Sequence, residues 1–248
     1  MRSVRPVLVF LLAAALATGS GSAVSAASGP SASPDSAGAV TPSGSATPDD
    51  AVRAYLAALA GADIDGILSA TAIDEMSAGF RFDLQSDRLQ AFQPMNMLGP
   101  NDDPFLEDLD RAQLTWQILS QVRAFTYGLL SDIDMDGVMI VPFGKEEADA
   151  FAAQVDPSQL ASISVVAVQF PNPEFEQNAR YLENNAKMAA IYGADEVTER
   201  VATFDYGGEL WQVGFTLIRY GDAWKVMRQA APLANLPVTG VPQRVSDS

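Results

Sequence analysis

Three aspartates at every second position, followed by a glycine, are the residues of this sequence whose types and spacing point to the most specific chemistry. Asp132, Asp134, Asp136 and Gly137 fill the first, third, fifth and sixth positions of a calcium loop. The carboxylates would supply the hard oxygen ligands that calcium prefers, and the glycine would allow the sharp turn of the chain. The three aspartates are therefore a candidate calcium site of millimolar-class affinity.

The candidate loop lacks two ligands that would complete a calcium site. The twelfth position, where a bidentate glutamate closes the shell, is Phe143, and the ninth position is Ile140. Calcium takes about six to eight oxygens, so water or distant acids would have to complete the site, and the acidic run 102–110 offers such acids. The alternative is a metal-free turn, because aspartates favour turns and tolerate left-handed backbone conformations.

The chain contains neither histidine nor cysteine. This composition excludes Ser-His and Cys-His nucleophiles, zinc sites that need imidazole or thiolate, and disulfide bonds. An isomerase of the ketosteroid type would still be possible with an aspartate base and a tyrosine donor, for which Asp205, Tyr206 and Tyr127 are candidates. Neighbours in a strand point to opposite faces, so Asp205 and Tyr206 cannot both enter one pocket. We therefore assign no catalytic residue.

Five aromatic residues are candidates for the wall of an apolar pocket. Small-molecule pockets are lined mostly by apolar and aromatic side chains, but aromatic residues at alternating strand positions also form plain hydrophobic core. A small apolar ligand is accordingly one expected partner. Both alternatives, pocket wall and core, apply to Trp116, Trp211, Trp224, Phe204 and Phe215.

The beginning of the chain has the three regions of a secretory signal peptide. Arg2 and Arg5 precede an unbroken apolar run of about 11 residues, and the small residues 24–26 suit a signal peptidase. A membrane span needs about 20 residues, so we expect segment 1–26 to be cleaved, without stable membrane insertion afterwards. The predicted location is outside the cytoplasm, or the cell envelope if the peptide stays uncleaved. Segment 27–46, mostly Ala, Ser, Gly, Pro and Thr, is predicted to be a disordered linker.

The chain is strongly acidic. Its formal net charge is −16, and loss of Arg2 and Arg5 with the signal peptide would bring it to −18. Such a surface repels nucleic acid and anionic lipid head groups, so we expect neither as a partner. The remaining expected partners are an unidentified protein or a small apolar molecule.

Helical periodicity dominates the first part of the expected domain. Thr47 is a predicted N-cap, Pro48 suits the first helical position, and Asp50 can complete a capping box. Apolar residues then recur at helical spacing until Gly61, and a second short helix is predicted to start at Ile64. Further helices are predicted over 145–155 and 173–192.

Two segments in the middle of the chain are harder to interpret. Segment 76–110 contains several prolines and glycines, so we expect broken helix and loop there. The apolar residues of 114–129 fit one face of a long helix, but 122–130 equally fits a strand, and periodicity does not decide between them.

The end of the chain has the clearest strand pattern. Gly207-Gly208 and Gly221-Asp222 are two-residue turns between strands with alternating apolar residues, which indicates a three-stranded antiparallel meander from residue 197 onward. Segment 138–143 is predicted to be a short strand and 163–170 a buried strand.

This order of elements predicts an α+β fold, in which N-terminal helices pack on a curved antiparallel sheet. We expect one domain over 47–236 and a flexible tail over 237–248, because prolines end regular structure there. A homodimer through the face of the sheet is one expected assembly.

Two stretches at the ends of the expected domain carry a resemblance to a known superfamily. TPDDAVRAYLAALAGADIDGILSATA resembles the opening helix pair of the nuclear transport factor 2-like superfamily, which includes ketosteroid-isomerase and SnoaL-type cones. FTLIRYGDAWKV resembles the last hairpin of these domains. The resemblance implies a cone-shaped sheet wrapped around a long helix, with a pocket inside the cone.

The superfamily contains enzymes as well as binding and assembly domains, so the fold does not choose a function. Members that are dehydratases use a histidine with an acid, which this chain cannot provide. We therefore expect an exported, non-catalytic ligand-binding or assembly module. The alternative is a histidine-free isomerase or lyase that acts on a small apolar molecule in the pocket of the cone.

Overall fold

The computed structural model describes residues 44–94, 96–133, 144–236 and 239–245, which all belong to the compact unit Val40–Ser248. Helical segments precede the first strand and also flank it. In this part of the chain the helices are α1 (Pro48–Ala60), α2 (Ile64–Ser69), α3 (Ile73–Gly79), α4 (Phe82–Leu89), α5 (Pro104–Leu130), α6 (Lys145–Gln154), α7 (Pro173–Glu176) and α8 (Ala179–Ile191). Short 3₁₀ helices occupy Pro157–Ser162 and Pro232–Ala234.

An antiparallel sheet with the order β1-β2-β3-β4 forms the second layer. Its strands are β1 (Ser164–Gln169), β2 (Glu196–Tyr206), β3 (Glu209–Tyr220) and β4 (Ala223–Arg228), and β5 (Gln243–Arg244) pairs with the start of β3. Gly207 and Gly208 form the β2–β3 turn with φ angles of 66° and 81°, which glycine adopts without a steric penalty. The α+β class and the three-stranded meander predicted from the sequence are thus confirmed.

Residues of the sheet contact several helices of the other layer. Phe215 of β3 contacts Tyr55 of α1, with ring centroids 5.5 Å apart, and Phe204 of β2 lies 5.6 Å from Phe125 of α5. Helix α8 lies against β2, and next to it the Tyr220 hydroxyl donates to the Tyr192 carbonyl at 2.9 Å. Register shifts in the β1–β2 and β3–β4 ladders are bulges, which increase the local twist of the strands.

Helix α5 settles the ambiguity over residues 122–130, which continue the helix rather than forming a strand. Asp103 caps its first turn by accepting a hydrogen bond from the Phe105 backbone N–H at 2.9 Å, and Pro104 occupies the first turn. The helix is 27 residues long, and one apolar stripe faces the core. That buried stripe consists of Leu114, Ile118, Val122, Phe125 and Leu129.

The predicted N-cap and start of α1 are also confirmed. The Thr47 Oγ1 accepts a hydrogen bond from the Asp50 backbone N–H at 3.1 Å and donates one to the Asp50 carboxylate at 2.7 Å. Gly61 ends α1, and Asp63 caps α2 by accepting from the Gly66 backbone N–H at 2.9 Å. The loop-rich interpretation of 76–110 agrees with the separate helices α3 and α4 and the long connection to α5.

The structure corrects two elements. The β-branched run 163–170 was expected to be a buried strand, but β1 lies at the edge of the sheet and Val166 is 58% exposed. The helix expected over 173–192 is divided into α7 and α8, because Asn178 leaves the helical conformation and caps α8. Its Oδ1 accepts hydrogen bonds from the backbone N–H groups of Arg180 and Tyr181.

The chain end also differs from the expectation of a flexible tail over 237–248. Residues 239–245 lie on the domain, where Val241 is buried and β5 pairs with β3. The Gly240 carbonyl accepts a hydrogen bond from the side chain of Gln229 at 3.0 Å, which holds this segment against the core. The expected signal peptide, most of the expected linker and the strand predicted over 138–143 lie outside the described residues.

Candidate functional site

A cavity of about 360 Å³ lies between α3, α5 and the end of β4. Its volume falls in the range of small-molecule sites, which are roughly 300–1,000 Å³ and mostly apolar with a few polar groups. The apolar part of the wall consists of Ile73, Met76, Leu114, Ile118, Met227 and Ala230. The polar and amphipathic part consists of Trp116, Gln117, Ser120, Gln121, Tyr192, Arg228 and Thr239.

A bulge at the end of β4 explains how two consecutive residues of one strand reach the same cavity. Leu217 is opposite Val226, but Thr216 is opposite Arg228, so Met227 is an extra residue in the ladder. Without the bulge, Met227 and Arg228 would point to opposite faces of the sheet. With it, both residues line the cavity.

The Arg228 side chain is held in a defined orientation. Its Nε donates a hydrogen bond to the Thr216 Oγ1 at 3.1 Å, and the Thr216 hydroxyl in turn donates to the Ala230 carbonyl at 2.7 Å. In the described part of the chain, no ion pair involves Arg228, and its Nη1 and Nη2 have no hydrogen-bond partner.

A buried polar network fixes the wall beside Arg228. Gln229 is fully buried, and its Oε1 accepts a hydrogen bond from the Tyr55 hydroxyl at 3.2 Å. The Gln229 backbone N–H donates to the Gln121 Oε1 at 2.7 Å. Because the carbonyl of the Gln121 side chain is used in this way, its amide nitrogen remains available as a donor to a ligand.

Tyr192 is a further residue with a polar group among those that line the cavity. Burial raises its pKa, and the positive charges of Arg228 and Arg88 oppose this shift only in part. The hydroxyl therefore keeps its proton at neutral pH and can donate a hydrogen bond. Among the described residues that line the cavity, none carries a carboxylate.

Two buried carboxyl groups belong to the surrounding elements without lining the cavity. Asp110 is 4% exposed and accepts a hydrogen bond from the Gly99 backbone N–H at 2.9 Å, whereas its Oδ2 has no partner. Glu199 accepts a hydrogen bond from the Leu233 backbone N–H at 2.9 Å. Burial raises the pKa of both groups, and these hydrogen bonds oppose the shift. At Glu199 the positive charge of Arg228 opposes it as well.

The aromatic candidates separate into core and cavity residues. Phe204, Phe215, Trp211 and Trp224 are buried and belong to the hydrophobic core. Trp116 is 68% exposed and lines the cavity. Of the two roles predicted for these five aromatic residues, pocket wall or hydrophobic core, Trp116 has the first in this cavity.

The structure does not bring Asp205, Tyr206 and Tyr127 together at the cavity. The Asp205 Oδ1 accepts a hydrogen bond from the Gly208 backbone N–H at 3.4 Å within the β2–β3 turn. The Tyr206 hydroxyl donates to the Gln159 Oε1 at 3.2 Å, and the Tyr127 ring packs edge-on against Phe151 at 5.1 Å. These contacts give the three residues roles in turns and packing.

The predicted calcium loop falls largely outside the described residues, which include Asp132 but neither Asp134 nor Asp136. Asp132 follows α5, and its Oδ2 accepts a hydrogen bond from the Gln154 Nε2 at 2.8 Å. Within the described ranges, no group of three or more acidic side chains is placed to hold a metal ion. The calcium site therefore stays a prediction.

The acidic run 102–110, suggested from the sequence as a source of further ligands, is far from Asp132 along α5. It lies at the start of α5, whereas Asp132 lies beyond the end, so about 30–40 Å of helix at 1.5 Å per residue separates them. Its carboxylates also have local partners, since Arg111 forms ion pairs with Glu107 and Asp108.

These features define a class of protein: an α+β domain whose helices pack on a curved antiparallel sheet, with a mostly apolar cavity beside the long helix. A crystal structure of a cystatin-like protein from Ruminococcus gnavus is similar to this chain, with a TM-score of 0.55 and 19% sequence identity. The match covers 80% of this chain and 44% of that one, so this chain spans less than half the length of the solved chain. At this identity the similarity shows the fold alone.

No family model matches the chain, and no curated protein sequence matches it. In the described part of the chain, no helix has both the length and the apolar composition needed to cross a membrane.

The sequence did not identify the polar residues of the cavity. Gln117 and Gln121 are four residues apart on one helix face, a pattern that could have drawn attention to them. Arg228 carried no such signal, because its position depends on a bulge that the alternation of β4 does not reveal.

Proposed function

We propose that this protein is an exported, non-catalytic ligand-binding module whose cavity between α3, α5 and β4 binds a small, largely apolar molecule. The cavity itself carries this proposal, because it combines an apolar wall with a few polar groups at one side, as small-molecule sites do. Its wall is built on a long helix and a strand, and Gln229 fixes part of it through buried hydrogen bonds. Such rigid elements favour a preformed site.

We further propose that the domain is a distant member of the nuclear transport factor 2-like superfamily. The two stretches that carry the resemblance lie together, since Thr71 forms a bridge with Val226 of β4. Cystatin-like and nuclear transport factor 2-like cones are related folds, so the similarity to the Ruminococcus gnavus protein supports this placement.

Export is supported by the N-terminal sequence, with its two arginines, apolar run and small residues before position 27. The absence of cysteine from the full sequence makes the fold independent of the redox state of its surroundings. We propose that the mature protein acts outside the cytoplasm.

Binding is better supported than turnover by a histidine-free isomerase or lyase. That alternative needs a carboxylate base within hydrogen-bond reach of the ligand. The described residues that line the cavity offer an arginine, amides and hydroxyls, but no carboxylate.

The experiment uses the mature chain and N-phenylnaphthylamine, a neutral apolar probe that fluoresces strongly on leaving water. Saturable binding to the wild type is expected. Ser120→Trp, which places a large ring at the cavity wall, should weaken binding by about tenfold or more, or roughly 1.4 kcal/mol.

Ala112→Trp is the matched control, because it adds the same ring at an exposed position of α5 that does not line the cavity. Equal loss of binding in both variants, or no saturable binding to the wild type, would contradict the proposed function.

A further inference from the structure

We propose that the cavity selects molecules with one anionic group, such as a carboxylate, on an apolar body, and that Arg228 binds this anion. The inference rests on the proposed function and gives it a ligand class. It follows from the charge of the cavity wall, the geometry of the guanidinium group and the donors around it.

Arg228 gives the cavity a charge opposite to that of the protein as a whole. The chain carries a net charge of −16, yet the charged residue among the described cavity-lining residues is an arginine. A ligand cation would find no carboxylate among those residues to pair with. A ligand anion would meet a positive charge in a partly apolar site, where electrostatic attraction is stronger than in bulk water.

The guanidinium group is oriented for bidentate recognition. The hydrogen bond from Nε to Thr216 fixes one edge of the planar group, and the Thr216 hydroxyl is itself held because it donates to the Ala230 carbonyl. Nη1 and Nη2 have no hydrogen-bond partner in the described ranges. A fork of two free N–H groups matches the two oxygens of a carboxylate or phosphate.

The nearest acid across the sheet does not occupy this fork. Glu199, Thr216 and Arg228 lie in one row across β2, β3 and β4, since Glu199 pairs with Thr216 and Thr216 pairs with Arg228. The Glu199 carboxyl instead accepts from the Leu233 backbone N–H, and the ion pairs of the described residues do not include one between Glu199 and Arg228. Burial raises the pKa of Glu199, and the positive charge of Arg228 opposes this shift, so the two groups interact across the sheet without a hydrogen-bonded ion pair that would occupy the fork.

Neutral donors complete an anion-binding end of the cavity. The Gln121 amide nitrogen is available because the Oε1 of that side chain accepts from Gln229. The Tyr192 hydroxyl keeps its proton, because burial raises its pKa. Together with Arg228, these groups present N–H and O–H donors to a ligand whose apolar body lies against residues such as Met76 and Ile118.

The test compares octanoate with octanol, which have the same chain length but differ in charge, as competitors of N-phenylnaphthylamine. In the wild type, octanoate should bind about 10- to 100-fold more tightly than octanol, the range of one charge-assisted hydrogen-bonded pair. Arg228→Gln should abolish this preference while leaving probe and octanol binding within about twofold. Arg228→Lys keeps the charge but loses the fork, and should retain part of the preference.

Arg53→Gln is the matched control, because Arg53 is exposed on α1 and does not line the cavity. Retained probe binding shows that each variant is folded. Equal affinities of octanoate and octanol for the wild type, or an unchanged preference in Arg228→Gln, would overturn the anion inference while the proposed function stands. Absence of probe binding to the wild type would overturn both.

Discussion

Two depressions of similar size border the middle and the C-terminal end of α5, but the arginines in them have different environments. The cavity beside the middle of α5 measures about 360 Å³ and contains Arg228, which has no ion-pair partner among the described residues. The depression at the C-terminal end of α5 measures about 410 Å³ and contains Arg244. Arg244 pairs with Glu209 at 2.9 Å and lies over the ring of Trp211 at 5.0 Å.

This difference shows that volume alone does not define a ligand site. Both depressions could hold a small molecule, but Arg244 already interacts with a carboxylate and an aromatic ring. A ligand anion would have to compete with Glu209 there, whereas at Arg228 it would add an interaction. The second depression also contains Asp132, which is unfavourable for an anion and suits the predicted cation.

The largest effect on stability is expected at Phe125, which lies on α5 between the residues that line the two depressions. Phe125 is fully buried against Phe204, so Phe125→Ala should lower the free energy of unfolding by about 3–5 kcal/mol. Trp116→Ala on the same helix removes an exposed ring and should change stability by at most about 0.5 kcal/mol. Urea unfolding measures both, and equal losses would show that α5 is not anchored through its buried stripe.

Calcium binding would increase the difference between the two depressions, because it would make the C-terminal end of α5 a cation site. If Asp132, Asp134 and Asp136 bind calcium, roughly 10- to 100-fold excess over the dissociation constant should add about 1.5–3 kcal/mol to stability. For a domain of this size, thermal unfolding would then shift upward by roughly 3–12 °C relative to chelator.

Asp134→Ala should remove the calcium-dependent shift, and Asp65→Ala, on the exposed face of α2, is the control that should retain it. An unchanged unfolding temperature in wild-type protein at high calcium would leave the three aspartates as a metal-free turn.

Paired substitutions of the two arginines test the comparison directly. Arg228→Gln should weaken octanoate binding by about 10- to 100-fold, because the anion loses its charge-assisted partner. Arg244→Gln should change it by less than about twofold, because that side chain already interacts with Glu209. Displacement titrations of the neutral probe measure both effects, and a comparable loss in Arg244→Gln would place the anion at the C-terminal end of α5.

The sequence predicted those parts of the fold that depend on local chemistry. Thr47 and Pro48 marked the start of α1, and the glycine turns at 207–208 and 221–222 marked the meander, because caps and tight turns are set by a few neighbouring residues. The strand of 163–170 was placed correctly but not its exposure, since burial at a sheet edge depends on which strands pair beyond it.

The cavity could not be predicted in the same way. It depends on Arg228 and Tyr192, which are far from α5 in the sequence, and on a bulge at Met227 that reverses the expected direction of a side chain. The aspartate loop is the reverse case, because the spacing of its aspartates can be recognised in the sequence alone. The distance of about 30–40 Å along α5 between Asp132 and the acidic run 102–110 could not be recognised there.

The smallest effect concerns an aspartate near each end of α5. Asp110 is buried, and its Oδ2 has no hydrogen-bond partner. Burial raises its pKa, so the folded state holds the proton more tightly than the unfolded state does. The contribution of Asp110 to stability therefore falls as pH rises above the usual range for aspartate. Asp110→Asn keeps an oxygen for the Gly99 N–H and should stabilise the protein by about 1 kcal/mol at pH 7, with the gain disappearing in acid. Asp132→Asn, at an exposed position, should show no such pH-dependent gain. Urea unfolding across the acid range measures both, and a gain for Asp110→Asn that persists at low pH would mean that the buried charge is not its cause.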